Sequence, residues 1–114
     1  MKQEAIEKAV VSGTALLVTE YGVVIGSLLY KNEPDYILLD EFVINHHSRK
    51  KGIGSIALQL WLKKVAGNRV KLITHSENRA AHLYERHGFA RTGEIVPDYY
   101  GDGEPRMWME RQPR

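Results

Sequence analysis

The sequence predicts one α/β domain built around a mixed β-sheet. A chain of 114 residues fits a single domain, and about two-thirds of its surface can be buried on folding. Apolar residues recur at helix or strand spacing in the order α-β-β-β-α-β-α-β-β. The strand–helix–strand unit at residues 36–74 should form a right-handed crossover, which makes its two strands parallel.

The first part of the chain predicts one helix and three strands. Residues 1–11 carry apolar side chains at helical spacing, which indicates a short helix. Residues 14–20 and 23–30 are rich in Val and Leu and flank a two-residue turn, so we expect a hairpin. Residues 36–44 form a third strand, whose long apolar runs favour a central position covered on both faces.

The second part predicts two helices and three strands. An apolar stripe indicates a helix at residues 52–66, followed by a short strand at residues 69–74. A second helix at residues 78–87 stops at a glycine. Strands at residues 89–96 and 106–111 then flank a loop that contains two tyrosines and two glycines.

Composition excludes several classes of protein and of site. The chain has no cysteine, which excludes a disulfide framework, a thiolate zinc site and a cysteine nucleophile. No apolar run approaches the roughly 20 residues of a membrane span, and the first residues do not resemble a signal peptide. Histidines and carboxylates do not occur at metal-ligand spacing, so we expect no metal. These features predict a soluble, cytoplasmic protein without a membrane partner.

Charge is unevenly distributed along the chain, although the formal net charge is only +2. Residues 45–91 carry a net charge of +8, whereas residues 1–44 carry −4 and residues 92–114 carry −2. A basic centre between acidic flanks indicates an anionic ligand in the middle of the chain. The alternative is a set of solvated Lys and Arg side chains on helix faces.

A glycine-containing basic motif lies between the third strand and the helix that follows it. Two glycines allow close approach of the backbone to a ligand, and the start of a helix offers unpaired N–H groups. That combination is typical of a phosphate-binding turn, and it matches neither a P-loop nor a dinucleotide-binding fingerprint. The alternative is a tight structural turn. The motif consists of Arg49, Lys50, Lys51, Gly52, Ile53, Gly54 and Ser55.

A second motif lies in the helix at residues 78–87 and the turn after it. Tyr84 is followed by Gly88 and Phe89, where the helix ends and a strand begins. In isolation Tyr84 is more readily explained as a core aromatic residue than as an acid.

Together the two motifs resemble the GNAT superfamily of acyl-CoA-dependent N-acetyltransferases, and the resemblance covers about residues 14–111. It implies a mixed, mostly antiparallel sheet with a central parallel strand pair and flanking helices, shortened at its N-terminus. The residues that carry the resemblance are Arg49, Gly52, Gly54, Tyr84, Gly88 and Phe89.

The resemblance implies direct transfer of an acetyl group from acetyl-CoA, bound as a cosubstrate, to a primary amine of a small molecule or a protein. The pantetheine arm would pair with the backbone of Phe42, Val43 and Ile44, and Tyr84 would protonate the departing thiolate. A phenol with a pKa near 10 suits that role. The pyrophosphate would lie beside Arg49 on the backbone amides of Lys50, Lys51, Gly52, Ile53, Gly54 and Ser55.

The attacking amine needs a base or a water chain. Asp40 and Glu41 occupy the strand position where the polyamine acetyltransferases have an acidic pair. On a regular strand only one of them can face the site, and we favour Glu41. His75, at the end of the next strand, is a second candidate.

The chain departs from the family pattern in two places. Relatives have Asn seven residues before the tyrosine, where this chain has Glu77, so Asn78 either replaces that contact or the contact is lost. The short N-terminus predicts an acceptor pocket that is open or is completed by a second subunit, which would make the protein a homodimer. Acidic residues around Tyr99 and Tyr100 either attract a cationic amine or belong to a solvated loop.

Two alternatives to an active enzyme remain at this stage. A catalytically weak acyl-CoA-binding regulatory module would retain the phosphate-binding turn without turnover. Nucleic-acid binding through the basic centre is not expected, because no aromatic platform for base stacking accompanies the charge.

Overall fold

Seven strands and two helices make up the computed structural model, which describes residues 6–10, 14–45, 52–75 and 79–114. Neither α1 nor α2 has the length and apolar character needed to cross a membrane. In chain order the elements are β1 (Ile6–Val10), β2 (Thr14–Glu20), β3 (Val23–Asn32), β4 (Ile37–Ile44), α1 (Ile53–Lys64), β5 (Val70–Thr74), α2 (Arg79–Arg86), β6 (Ala90–Val96) and β7 (Arg106–Arg111).

The strands form one sheet in the order β1-β2-β3-β4-β5-β7-β6. Strands β4 and β5 are parallel, and every other neighbouring pair is antiparallel. The predicted mixed, mostly antiparallel sheet with one parallel pair is therefore confirmed. The parallel pair arises because α1 carries the chain from the end of β4 back to the start of β5.

The predicted helix at residues 1–11 is wrong, because the structure has a strand at Ile6–Val10. All five of its residues pair with β2, from Ile6 opposite Val18 to Val10 opposite Thr14. The apolar spacing fits a helix, but two of the five residues are β-branched, and β2 has an edge to which a strand can add. Pairing along that edge outweighs a weak local helix preference.

Both helices pack on the same face of the sheet. Leu58 and Trp61 of α1 share one buried cluster with Ala81 and Tyr84 of α2. Residues of the sheet form the other side of this cluster. The centre of the Trp61 ring lies 5.4 Å from the centre of the Tyr30 ring on β3. Each large side chain buried in this way contributes roughly 1.5–3 kcal/mol to folding. This packing fixes the two helices relative to β4 and β5.

The opposite face of the sheet is more open. Lys71 lies across it with its ammonium group 4.9 Å from the ring of Tyr36 and 5.4 Å from that of Trp108. Leu38 is half-buried, and 42% of Val43 is exposed. The expectation that β4 is covered on both faces is therefore wrong, because its second face is partly exposed at Leu38 and Val43.

Gly26 allows β3 to lie unusually close to the end of β4. An added methyl group at this position would meet the Ile44 side chain at 2.8 Å and the carbonyl oxygen of Val43 closer still. The glycine is needed here for space, since its φ is not in the left-handed region. The position of Val43 and Ile44 therefore depends on a missing side chain in the neighbouring strand.

Replacing Gly26 by alanine should lower the free energy of unfolding by roughly 1–3 kcal/mol, because backbone atoms must move to admit the methyl group. Urea denaturation measures the change. Gly67→Ala is the matched control, since an added methyl group there meets open space at an ordinary φ. It should change the free energy by less than about 1 kcal/mol. Equal stability of the two variants would contradict the close approach.

Candidate active site

The site begins where β4 and β5 stop pairing. They pair over only three residues each, from Ile37 opposite Val70 to Leu39 opposite Leu72. Beyond Leu39, β4 continues to Ile44 and stays paired with β3 on its other side. We call this gap the β4–β5 opening. An extended ligand can pair with a strand edge of this kind through backbone hydrogen bonds.

Phe42, Val43 and Ile44 lie on this part of β4, as the predicted pantetheine contacts require. They pair with Leu28, Ser27 and Gly26 of β3 on the other side. The Ile44 side chain is buried against α1, whereas Val43 is exposed. The backbone of β4 is thus paired with β3 on one side, and among the described residues β5 does not pair with Phe42 or Val43 on the other.

A β-bulge at Asp40 marks the point where the opening begins. Leu39 pairs with Tyr30 and Glu41 pairs with Leu29, which leaves Asp40 as an extra residue in β4. A bulge of this kind bends its strand and locally interrupts the pairing. The bulge therefore accounts for the departure of β4 from β5.

The bulge also places Asp40 and Glu41 on the same face. Leu39 and Phe42 both pack against the cluster under the helices, so the two residues between them face the other way. The argument that only one of the two can face the site assumed a regular strand and does not hold here. Asp40 lies 4.0 Å from the ammonium group of Lys31, on that same face.

Tyr84 lies in α2 on the helix-covered side of the opening. Its ring is 7% exposed and meets Phe89 edge-on, with 5.6 Å between the ring centres. The Tyr84 carbonyl accepts hydrogen bonds from the backbone N–H groups of His87 and Phe89 at 3.0 and 3.1 Å, which ends the helix. Gly88 completes this turn with a φ of 93°.

Burial is the main reason that the pKa of Tyr84 rises to about 12, and the charge of Tyr100 adds to it. The expected value near 10 is therefore wrong. Desolvation disfavours the phenolate, so Tyr84 keeps its proton throughout the physiological range. Tyr84 is thus a core aromatic residue whose hydroxyl is neutral at physiological pH.

Tyr100 is a site residue that the sequence analysis did not select. Burial, Tyr99, Asp40 and Glu41 all raise its pKa, whereas Arg106 lowers it. It therefore lies close enough to both carboxylates of β4, and to Tyr84, for their charges to interact. The signal in the sequence was the pair of adjacent tyrosines, but only the fold brings Tyr100 to β4.

The loop that carries Tyr100 is held by its own polar contacts. Asp98 accepts a hydrogen bond from the backbone N–H of Gly103 at 2.6 Å. Asp102 accepts one from Arg106 at 2.8 Å, and Arg106 lies 5.0 Å from the centre of the Tyr100 ring. Asp98 and Asp102 therefore shape the loop, and this favours the structural reading of these acidic residues.

The start of α1 provides groups for an anion. Gly52 precedes the helix with a φ of 74°, and among the described residues no side chain caps the first turn, which holds no acidic residue. Uncapped N–H groups at a helix start attract phosphate. Gly52, Ile53, Gly54 and Ser55 fit a pyrophosphate in this respect, and the Ser55 hydroxyl lies 2.9 Å from Nε2 of His87.

Four of the predicted binding residues lie outside the described residues, namely Arg49, Lys50, Lys51 and Asn78. His75 directly follows β5 and is half-buried. Within the described ranges no three His, Asp or Glu side chains come together in a way that would hold a metal ion.

Comparison with known proteins is consistent with this geometry. The model of the acetyltransferase (GNAT) domain family matches residues 12–91. A comparison with curated protein sequences gave no match. Among solved structures, Ard1 from Thermoplasma volcanium is similar with a TM-score of 0.79 and 22% identity, over 88% of this chain and 70% of that one.

Two further solved structures share the fold. The ribosomal-protein-S18-alanine N-acetyltransferase from Escherichia coli has a TM-score of 0.74 and 22% identity, over 85% of this chain and 66% of that one. A GNAT family acetyltransferase from Elizabethkingia anophelis with acetyl-CoA bound has a TM-score of 0.76 and 16% identity, over 89% of this chain and 76% of that one. This chain spans slightly less than two-thirds of the E. coli enzyme.

The raised pKa of Tyr84 predicts a specific loss of stability in alkali. Stability from the buried neutral phenol is fully present below pH 10 and is lost as the pH rises to about 12, by about 3 kcal/mol in total. Tyr84→Phe should remove this part of the pH dependence. Urea denaturation between pH 9 and pH 12 measures it, with Tyr21→Phe on an exposed turn as the control. Parallel curves for wild type and Tyr84→Phe would show that Tyr84 does not titrate as proposed.

Proposed function

The chain belongs to the GNAT acetyltransferase family, and on that premise we propose that it transfers the acetyl group of acetyl-CoA directly to a primary amine. One observation carries the proposal. Along the chain, the part of β4 that does not pair with the described part of β5 lies between Asp40 and Glu41, whose charges act on Tyr100, and the uncapped start of α1. The acetyl-CoA bound to the Elizabethkingia anophelis relative supports the same ligand here.

Backbone groups of this chain would do most of the binding. Phe42 and Val43 offer the pantetheine arm a strand edge that does not pair with the described part of β5, and the predicted contact at Ile44 lies at the end of the same edge. The amides from Gly52 to Ser55 offer the pyrophosphate unpaired donors at the positive end of a helix. A backbone N–H on β4 would also polarise the thioester carbonyl, which accepts more negative charge as the amine attacks.

Tyr84 would stabilise the departing thiolate. With a pKa of about 12, compared with roughly 8.5 for a free thiol, complete proton transfer to sulfur would be uphill by about 5 kcal/mol. A hydrogen bond from the neutral phenol to the sulfur carries no such penalty and strengthens as negative charge develops there. We therefore assign Tyr84 the role of hydrogen-bond donor, while the proton that the sulfur finally receives comes from the attacking amine.

Glu41 and Asp40 would receive the amine. Both carboxylates lie on the exposed side of the opening, where a cationic amine can reach them from solvent. The Lys31 ion pair partly neutralises Asp40, so Glu41 is the better candidate to accept the proton, directly or through water. Tyr100, whose pKa both carboxylates raise, would line the same approach.

Acetylation of an amine by the wild-type chain, with a strong dependence on Tyr84, tests this function. CoA release from acetyl-CoA is followed with a thiol reagent, which the chain's lack of cysteine makes free of background. The amine panel contains a polyamine, a peptide with a free N-terminal alanine and a lysine peptide. Tyr84→Phe should lower kcat by about 10²-fold or more with little change in KM for acetyl-CoA.

Tyr21→Phe, which removes a hydroxyl from the exposed turn between β2 and β3, is the control and should keep the wild-type rate. Full activity of Tyr84→Phe would contradict the role assigned to Tyr84. Saturable binding of acetyl-CoA without transfer to any amine of the panel would instead support the regulatory module, while turnover would exclude it.

The two carboxylates should differ in their effect on the acceptor. Glu41→Gln should lower kcat/KM for a cationic amine by about 10²-fold, and Asp40→Asn by less than about tenfold, because Lys31 already partly neutralises Asp40. Glu94→Gln on β6, exposed and outside the site, serves as the control. A loss confined to His75→Gln, with Glu41→Gln unchanged, would move the base to the end of β5.

A further inference from the structure

One contact between side chains connects the start of α1 to the end of α2. Nε2 of His87 lies 2.9 Å from the hydroxyl oxygen of Ser55, and both residues are half-buried. Ser55 is the third residue of α1, in the uncapped turn proposed for the pyrophosphate. His87 directly follows α2 and comes three residues after Tyr84. The contact therefore joins the proposed pyrophosphate position to the helix that carries Tyr84.

The backbone of His87 is held on both of its polar sides. Its N–H donates to the carbonyl oxygen of Tyr84 at 3.0 Å. Its own carbonyl oxygen accepts a hydrogen bond from Nε of Arg111 on β7 at 2.9 Å. A fixed segment thus presents the imidazole ring to Ser55, so little conformational freedom is lost when a ligand binds there.

The charged groups around His87 are cationic. Arg86 precedes it in α2, and Lys63 of α1, Arg111 of β7 and Arg114 line the same cavity, whose described lining contains no Asp or Glu. Burial, Arg86 and Arg111 lower the pKa of His87, so its ring is mostly neutral at pH 7. Lysine and arginine keep their charge between pH 5 and pH 8. His87 is therefore the member of this set whose charge changes in that range.

The proton on Nε2 of His87 decides how the Ser55 hydroxyl can be used. A hydroxyl has one hydrogen, and a neutral imidazole has one nitrogen that donates and one that accepts. If Nε2 has no proton, it accepts the Ser55 hydrogen, which is then not available to a ligand. The cationic ring has a proton on both nitrogens, so Nε2 donates to Ser55. The hydroxyl hydrogen is then left for a phosphate oxygen.

We propose that His87 is a positioning residue for the pyrophosphate of acetyl-CoA, acting through Ser55, and that binding of the pyrophosphate draws a proton onto the His87 ring. The inference rests on the proposed function, because it requires the pyrophosphate to lie on the first turn of α1. A pyrophosphate diester brings negative charge into cationic surroundings, and this charge favours the protonated ring. The protonated ring in turn fixes the Ser55 hydroxyl as a donor to the anion.

Affinity for the cofactor should therefore increase as the pH falls. The bound anion raises the pKa of His87 above its value in the free chain. The protonated ring then contributes affinity at low pH, and this contribution is lost as the pH rises through the pKa of the complex. We expect binding to be about five- to tenfold tighter at pH 5 than at pH 8.

Calorimetric titration with 3′-dephospho-CoA at pH 5, 6, 7 and 8 tests the proposal. This probe keeps the pyrophosphate but has no phosphomonoester, whose own pKa near 6 would otherwise contribute to the pH profile. Titrations at pH 6 in two buffers of different ionisation enthalpy measure the protons taken up. The wild-type chain should take up a fraction of a proton on binding.

Two variants separate the proposed role from a merely structural one. His87→Gln retains groups that can hydrogen-bond to Ser55 but cannot gain charge, so its affinity should change by less than about twofold over the same pH range. Ser55→Ala removes the hydroxyl through which His87 acts and should lose the pH dependence in the same way. The control is His82→Gln, because His82 is 65% exposed on α2 and pairs with Glu85. It should keep the wild-type profile and the proton uptake.

If His87→Gln does not fold, Ser55→Ala and the proton uptake of the wild-type chain decide. Binding that does not depend on pH in the wild-type chain, or a pH profile that persists in either variant, would overturn the role of His87 and leave the proposed function intact. Absence of binding at every pH, for both 3′-dephospho-CoA and acetyl-CoA, would contradict the proposed function and the role of His87 with it. None of these readouts requires acetyl transfer.

Discussion

The site depends on one constraint, which is that β4 is fully paired on one side and only briefly on the other. Seven of the eight residues of β4 pair with β3, all except Asp40, but the parallel pairing with β5 ends after Leu39. The extra residue at Asp40 produces this difference, because a bulge bends its own strand while the neighbouring strand keeps its path. Backbone N–H and C=O groups that do not pair within a sheet need other partners, because leaving them without any has a cost in stability.

The rest of the fold keeps this opening from closing. Phe42, just beyond the bulge, packs against both buried clusters, and these clusters also hold the two helices. The close approach of β3 at Gly26 holds Val43 and Ile44 from the other side. The end of β4 is therefore held by the buried clusters under the helices and by β3. These contacts keep its position independent of β5.

Local sequence was sufficient for most of the elements and for the two motifs. The hairpin, the crossover helix and the glycines at residues 52 and 88 follow from periodicity and turn chemistry over a few residues. The bulge at Asp40 could not be predicted in this way, because it is defined by the register of β4 against β3 and not by a residue type in β4. The sequence analysis assumed that side chains alternate between the two faces of a regular strand. The bulge breaks this alternation, so Asp40 and Glu41 lie on the same face. The strand at Ile6–Val10 was missed because its stability comes from pairing with β2, whereas its own apolar spacing fits a helix.

Tyr84 illustrates how packing and chemistry limit each other at this site. The Tyr84 ring is oriented by its contacts with Phe89 and with the buried cluster that both helices share. The same contacts exclude water from the hydroxyl and raise its pKa to about 12. A more exposed phenol would be a stronger acid but would lose its fixed orientation. A well-oriented neutral phenol suits a role in which it donates a hydrogen bond to charge that appears only during the reaction. The core position and the proposed catalytic role of Tyr84 are therefore two consequences of one packing arrangement.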